Sequence, residues 1–415
     1  MIPLLLGLAL GAPALHLSDL LREARERNPE LRAALAEAAA ARSSISPAGA
    51  LDDPMLMLQL WNGPVDFSSV PLMLGISQSF PLGGKLADRR EAARADWRAS
   101  RAGADAAALE IERQVAHAWF DLFMIDRTIE VDREIETTLG AMVEAAGARI
   151  VSGKGELVDQ LEAQAELLKV EVDEETERAR RASVNAKLAA LLDRDPGVAI
   201  GPMGTPSLLS AIEPETRLRE EALARRPELI AAGALVEGAR AQVRLAEAAR
   251  VPDVAVSAAE MHAFGTALSP RDFLFLGVSG NLPIFEREKT QPRIDAAASR
   301  LAAVEHAARE LHDRVLAEVA DARARLVAEH DIVELHHELI PISKQELESA
   351  IASYSAGRLE FLTVLDAARQ LQAHELDLAA HLGAYEQDLA DLEHAVGKDL
   401  GLVSHAEGGR MLEEH

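Results

Sequence analysis

Leu82-Gly83-Gly84-Lys85 is the stretch that most invites a chemical reading, because a glycine pair ahead of a lysine can cradle phosphate. The spacing denies it. A phosphate loop needs glycine five positions before the second of the pair and a hydroxyl after the lysine, and Ser79 and Leu86 stand there. The segment reads instead as a turn between a strand and a helix. Of the thirteen histidines most crowd the second half, among them His306, His312, His330, His336, His337, His374 and His381. None forms an i, i+4 pair with a glutamate in a zinc-enzyme motif, so they read as solvated helix faces, with weak metal contact along a transport path as the alternative. Cysteine is absent, which removes disulfides, thiolate metal sites and Cys nucleophiles. Without a nucleophile elbow or a dinucleotide fingerprint, no catalytic residue, cofactor or metal site is assigned. An enzyme is not expected.

Carboxylates offer a different chemistry. Asp159 and Glu162 are spaced i, i+3 and share one helix face. An offset of 204 residues brings Glu162 onto Asp366 and Asp159 onto Thr363. Ahead of these acids lie the glycine turns Gly153-Lys154-Gly155 and Gly357-Arg358, which fit helix C-caps.

The elements that position these residues come twice. Across Leu72–Phe80 the even positions are Leu72, Leu74, Ile76, Gln78 and Phe80, and the odd ones Met73, Gly75, Ser77 and Ser79. That period of two predicts a strand with one oily face. Pro81 and the glycine pair then open a helix expected over 85–151, about 100 Å at 1.5 Å per residue. Gly277-Val-Ser-Gly-Asn-Leu-Pro283 repeats the junction ahead of a helix at 286–355. Pro29-Glu30-Leu31 returns as Pro227-Glu228-Leu229, 198 residues on. The expected plan is a signal segment at 1–14 and a first repeat at 15–195, with a strand hairpin at 55–80 and a return helix at 156–193. A linker at 196–215 leads to a second repeat at 216–396, with a hairpin at 253–282 and a return helix at 359–396. A disordered tail is expected from 397 to 415. Asn28 should cap a helix over Glu30–Ser44 that Pro47 breaks, and Pro341 should kink the second rod.

Composition agrees with long helices: of 415 residues 3% are aromatic, and Ala, Leu, Glu and Arg dominate. A net charge of −25 disfavours nucleic acid as a partner and suits a route for cations. The apolar run before Ala12-Pro13-Ala14 fits a secretory h-region and its cleavage site. Four strands with an oily face cannot close a membrane barrel alone, which takes at least about eight. Three chains pooling twelve strands could. A secreted structural coiled-coil protein is the rival from another class; it predicts strict heptads and no strands.

Gly75-Ile-Ser-Gln-Ser-Phe-Pro-Leu-Gly-Gly-Lys85, the paired Pro-Glu-Leu motifs, and Tyr354-Ser-Ala-Gly357 followed by Thr363-Val-Leu-Asp-Ala367 resemble the outer-membrane efflux protein (TolC-like) family. The resemblance runs from about His16 to Gly397. It implies an α+β membrane protein: a homotrimer with a 12-stranded barrel in outer-membrane lipid and an α-helical barrel in the periplasm. It further implies a passive exit duct served by a periplasmic adaptor and an inner-membrane pump, or the channel of a type I protein secretion system. Asp159, Glu162, Thr363 and Asp366 would line the periplasmic constriction. Gly153, Lys154, Gly155, Gly357 and Arg358 would be tips where the adaptor docks. Trp61, Phe80, Phe273 and Phe275 are few for the aromatic girdle of a membrane barrel.

Overall fold

The computed structural model describes residues 16–60, 72–153, 155–197, 200, 206, 208–209, 211–262 and 272–402. The signal segment, Trp61, Lys154, both loops joining the strand pairs and the tail after residue 402 lie outside the described residues. The first repeat comprises α1 (Leu17–Arg27), α2 (Pro29–Ala48), β1 (Met55–Leu60), β2 (Leu72–Phe80), α3 (Lys85–Val151) and α4 (Leu157–Leu191). The second comprises α5 (Glu215–Arg225), α6 (Pro227–Ala248), β3 (Val254–His262), β4 (Asp272–Gly280), α7 (Gln291–Ser355) and α8 (Phe361–Val396). Two compact units form, and neither coincides with a repeat. One consists of Ala33–Ala106 and Pro227–Asp313, and the other takes the remaining described residues.

The first of these units holds a four-stranded antiparallel sheet in the order β1-β2-β3-β4, so the central pairing, β2 with β3, joins the two repeats. Its register places Leu56, Ile76, Ala258 and Leu276 in one row and Leu58, Leu74, Glu260 and Leu274 in the next. Alternation then puts Leu56, Leu58, Leu60, Leu74, Ile76, Leu274, Leu276 and Val278 on one face, all exposed. The opposite face carries Gly75, Ser77 and Ala259, all buried. A Cβ on Gly75 would stand 2.7 Å from the Ala259 Cβ, so only glycine lets the strands approach there. Phe273 and Phe275 fall on this small-residue side and not among the exposed leucines.

At one end of the sheet the Gly83-Gly84 turn runs through left-handed backbone, φ 73° and 81°, which glycine adopts without strain. Lys85 is buried and donates to the Val251 carbonyl at 2.7 Å and to Asp253 Oδ1 at 2.6 Å. Asp253 also accepts from the Leu82 N–H at 3.2 Å, and its own N–H donates to Asn281 Oδ1 at 2.6 Å. The lysine that mimics a phosphate ligand therefore clamps the ends of β2, β3 and β4 together.

The second unit is helical. Asn28 caps α2 as expected, its Oδ1 accepting from the N–H groups of Glu30 at 2.9 Å and Leu31 at 3.1 Å. Where the chain begins this unit, Leu17, Leu20 and Ala24 of α1 are fully buried.

Three expectations need correction. Helix α2 does not stop at Ser44 but continues through Pro47 to Ala48, because a proline one residue from the end removes a single bond there. The rod expected from residue 286 opens with a π-helical turn, Glu286–Thr290, and becomes α-helical only at Gln291. Pro292 explains the wider turn, since it has no N–H and its ring crowds the carbonyl four residues back. Beyond that turn α7 is one continuous helix that contains Pro341. Finally, residues 397–402 are ordered against α8. Gly397 takes φ 72° as a C-cap, the Glu393 carboxylate accepts the N–H groups of Leu400 at 2.7 Å and Leu402 at 2.9 Å, and Leu402 is buried.

Candidate functional site

Both hairpin tips are built the same way. Helix α3 ends where Gly153 takes φ 69°, with its N–H donating to Ile150 O at 2.9 Å, and the Gly155 N–H reaches back to Arg149 O at 3.0 Å. Gly357 closes α7 with φ 70° and a 2.8 Å bond to Tyr354 O, and the Arg358 N–H bonds Ser353 O at 3.0 Å. These crossed bonds satisfy the last carbonyls of each helix. A Cβ on Gly155 would lie 2.8 Å from Arg149 Cβ, whereas Gly153 and Gly357 face open space. Gly153, Gly357 and Arg358 are exposed. Lys154 lies outside the described residues.

Just inside the tips one apolar cluster joins four helix segments: Ile135, Leu139 and Met142 of α3, Ala163 and Val170 of α4, Leu347, Ala350 and Tyr354 of α7, and Phe361, Val364, Leu365 and Leu371 of α8 among others. The Tyr354 and Phe361 rings meet edge to face at 5.5 Å. The Arg149 guanidinium lies 4.3 Å over the Tyr354 ring and donates to the Tyr354 carbonyl. That tyrosine in turn reaches Asp159: its hydroxyl donates to Oδ2 at 3.4 Å. Burial, and then the nearby Asp159 charge, raise the Tyr354 hydroxyl above its ordinary value, so it stays a donor.

The four residues singled out by spacing are thus treated differently. Asp159 is half-buried and tied to α7 through Tyr354, whereas Glu162, Thr363 and Asp366 are exposed. Asp366 lies 3.6 Å from Arg369, whose other terminal nitrogen holds Glu166 at 2.6 Å. The same guanidinium feels Glu162. Helices α4 and α8 therefore meet through one arginine ringed by three acids. The pairing with Arg369 holds Glu166 below the usual carboxylate range despite its burial. Sequence spacing found Glu162 and Asp366 but missed Arg369, Glu166, Arg149 and Tyr354. A signal existed for two of them: Arg369 is i+3 from Asp366 and Glu166 is i+4 from Glu162, each one turn along the same face.

A third feature is apolar. Leu157, Leu161, Leu168 and Val172 of α4 are 53–64% exposed, although a helix normally turns such side chains inward. Their spacing of four, seven and four residues sets them on one stripe.

The family model described as Outer membrane efflux protein matches residues 20–194 and 218–398, one stretch for each repeat. The Cation efflux system protein CusC of Escherichia coli O157:H7 is 23% identical over 374 residues, covering 86% of this chain and 80% of that protein. The Cobalt-zinc-cadmium resistance protein CzcC of Cupriavidus metallidurans is 24% identical over 298 residues, 70% of this chain and 68% of that protein. Among solved structures, the outer-membrane channel OprN superposes with a TM-score of 0.81 at 19% identity, covering 92% of this chain and 90% of that one. The CusC channel structure gives 0.81 at 20% identity over 93% of each chain. The chain belongs to the outer membrane efflux protein family: it is a non-enzymatic efflux channel protein of the outer membrane, with its helical part in the periplasm.

Proposed function

We propose that three copies of this chain form a passive exit duct, loaded from a periplasmic adaptor and an inner-membrane pump. One observation carries the reading: a four-stranded sheet whose outer strands, β1 and β4, each have a neighbour on one side only, with eight large apolar side chains on one face. In lipid each unpaired backbone group costs several kcal/mol, so such a sheet persists only when closed. Twelve strands from three chains would close it and turn the leucine face to lipid. The α4 stripe of Leu157, Leu161, Leu168 and Val172 supports the same assembly, because neighbouring copies would cover it.

Within this duct Asp159, Glu162, Thr363 and Asp366 are proposed to line the periplasmic constriction, and Gly153, Lys154, Gly155, Gly357 and Arg358 to be the adaptor-docking tips. Rings of Glu162 and Asp366 would attract cations and repel anions, with Arg369 tempering the charge. Cargo is proposed to be small solutes, metal cations among them. The acidic balance of the chain supports this, as do relatives described as a cation efflux protein and a cobalt-zinc-cadmium resistance protein. Detergent-solubilised protein is expected to show the mass of about three protomers by light scattering. A stable monomer that needs no detergent would overturn the assembly.

A further inference from the structure

Helices α7 and α8 bring histidines face to face in the helical unit, away from the tips. The His336 ring of α7 lies 5.4 Å, centroid to centroid, from His381 of α8 and 6.4 Å from His374. Two imidazoles bound to one ion at about 2.0–2.1 Å per nitrogen have centroids roughly 5 Å apart, so His336 and His381 already stand at ligand spacing. His381 is oriented as metal-binding histidines are: its Nδ1 is held by Glu329 Oε2 at 2.7 Å, which leaves Nε2 free to face a ligand. His336 Nδ1 is buried and has no hydrogen-bond partner among the described residues. A buried imidazole nitrogen without a partner is costly, and an ion would satisfy it. On α8, His374, Asp377 and His381 recur at i, i+3 and i+7, so the exposed Asp377 lies on the same face between the two histidines.

We propose that the α7–α8 seam binds a divalent transition-metal cation of the copper, nickel or zinc kind through His336 and His381, with Asp377 as third ligand and Glu329 as the residue that orients His381. Among the described residues no three ligating groups are already gathered around one point. The ion therefore meets a preset histidine pair and draws the exposed Asp377 inward, water completing the shell. Three such sites per assembly would make the wall itself responsive to a metal. The inference does not rest on the duct reading, because binding can be measured whether or not the protein conducts.

The test uses full-length protein purified without a polyhistidine tag and titrated with Cu2+ in detergent, with electron paramagnetic resonance reporting nitrogen ligands. One ion per chain is expected, with coupling from two imidazoles. Glu329→Gln should weaken it roughly 10–100-fold, and His336→Ala and His381→Ala should weaken it further. His312→Ala, on an exposed histidine elsewhere in α7, should leave it intact. If His336→Ala fails to fold, His336→Gln keeps the volume and removes the ligand. Equal Cu2+ affinity in the parent and in the His336→Ala/His381→Ala double variant would overturn the site, as would a parent that binds no Cu2+.

Discussion

Replacing Lys85 by methionine is expected to lower the apparent melting temperature of the assembled protein by roughly 5 °C. Lys85 is 6% exposed, and its ammonium serves both the Val251 carbonyl and the Asp253 carboxylate. A methionine fills the same volume but leaves both acceptors without their donor. Charge-assisted hydrogen bonds contribute about 1.5–3 kcal/mol each, and Asp253 keeps its bond from the Leu82 N–H, so a net loss of about 2 kcal/mol follows. For a unit of this size about 2–4 °C accompanies each kcal/mol. The damage should spread to assembly, since the same clamp joins the ends of β2, β3 and β4 and so sets the first turn of α3. Circular dichroism melts and the fraction of protein recovered in the outer membrane check it. Parent-like melting and recovery in Lys85→Met would show that the clamp is dispensable.

Replacing Glu386 by leucine is expected to do the opposite. Glu386 is fully buried within α8, and neither carboxylate oxygen has a hydrogen-bond partner among the described residues. Burial, and then the charge of Glu393 two turns on, push its carboxyl up to about 8 from 4.5. The folded chain thus holds a proton that the unfolded chain releases above pH 4.5. Stability from this group is complete below pH 4.5 and is lost as pH rises towards 8. Glu393, pushed up to about 7 mainly by burial, acts with the same sign over most of that window. Glu110 and Asp391, both held at about 2, act with the opposite sign but only below pH 4.5, so they do not blur the comparison. Each tenfold change in a carboxyl's ionisation equilibrium is worth about 1.4 kcal/mol, and even part of the rise at Glu386 amounts to about 2 kcal/mol. Glu386→Leu should therefore melt roughly 5 °C above the parent at pH 8 and close to it at pH 5. A variant that melts below the parent at pH 8 would mean that the carboxylate has a stabilising partner.

Particular residues explain what could be read from the sequence. The strand Leu72–Phe80 was legible to the residue because one face is large and, Gln78 apart, apolar and the other mostly small or polar. Asn28 and the Gly153 and Gly357 turns were legible because capping is local. The first rod was legible from its lack of proline and the second from the repeat, but not the π-helical opening of α7, which depends on how one proline crowds the turn before it. Lys85 was visible as a motif and invisible in its role, since its partner Asp253 lies 168 residues away. Glu386 left a fainter sign: it keeps phase with Leu382, Leu389 and Glu393 on the inward side of α8, where an acid is out of place. At the mouth, spacing found the acids but not the arginine between them, because Arg369 matters only once α4 and α8 meet. The two compact units, each drawing on both repeats, follow from pairing β2 with β3, a contact that no local pattern encodes.

Single-channel recording of the purified protein in planar lipid bilayers tests the central claim most directly. The parent should open a steady, cation-selective conductance with no energy source present. Asp366→Ala and Glu162→Ala should each alter that conductance and weaken the preference for cations, because each removes one carboxylate per chain from the proposed ring. Variants that conduct and select like the parent would remove these carboxylates from the constriction, and a parent that never conducts would contradict the passive duct itself.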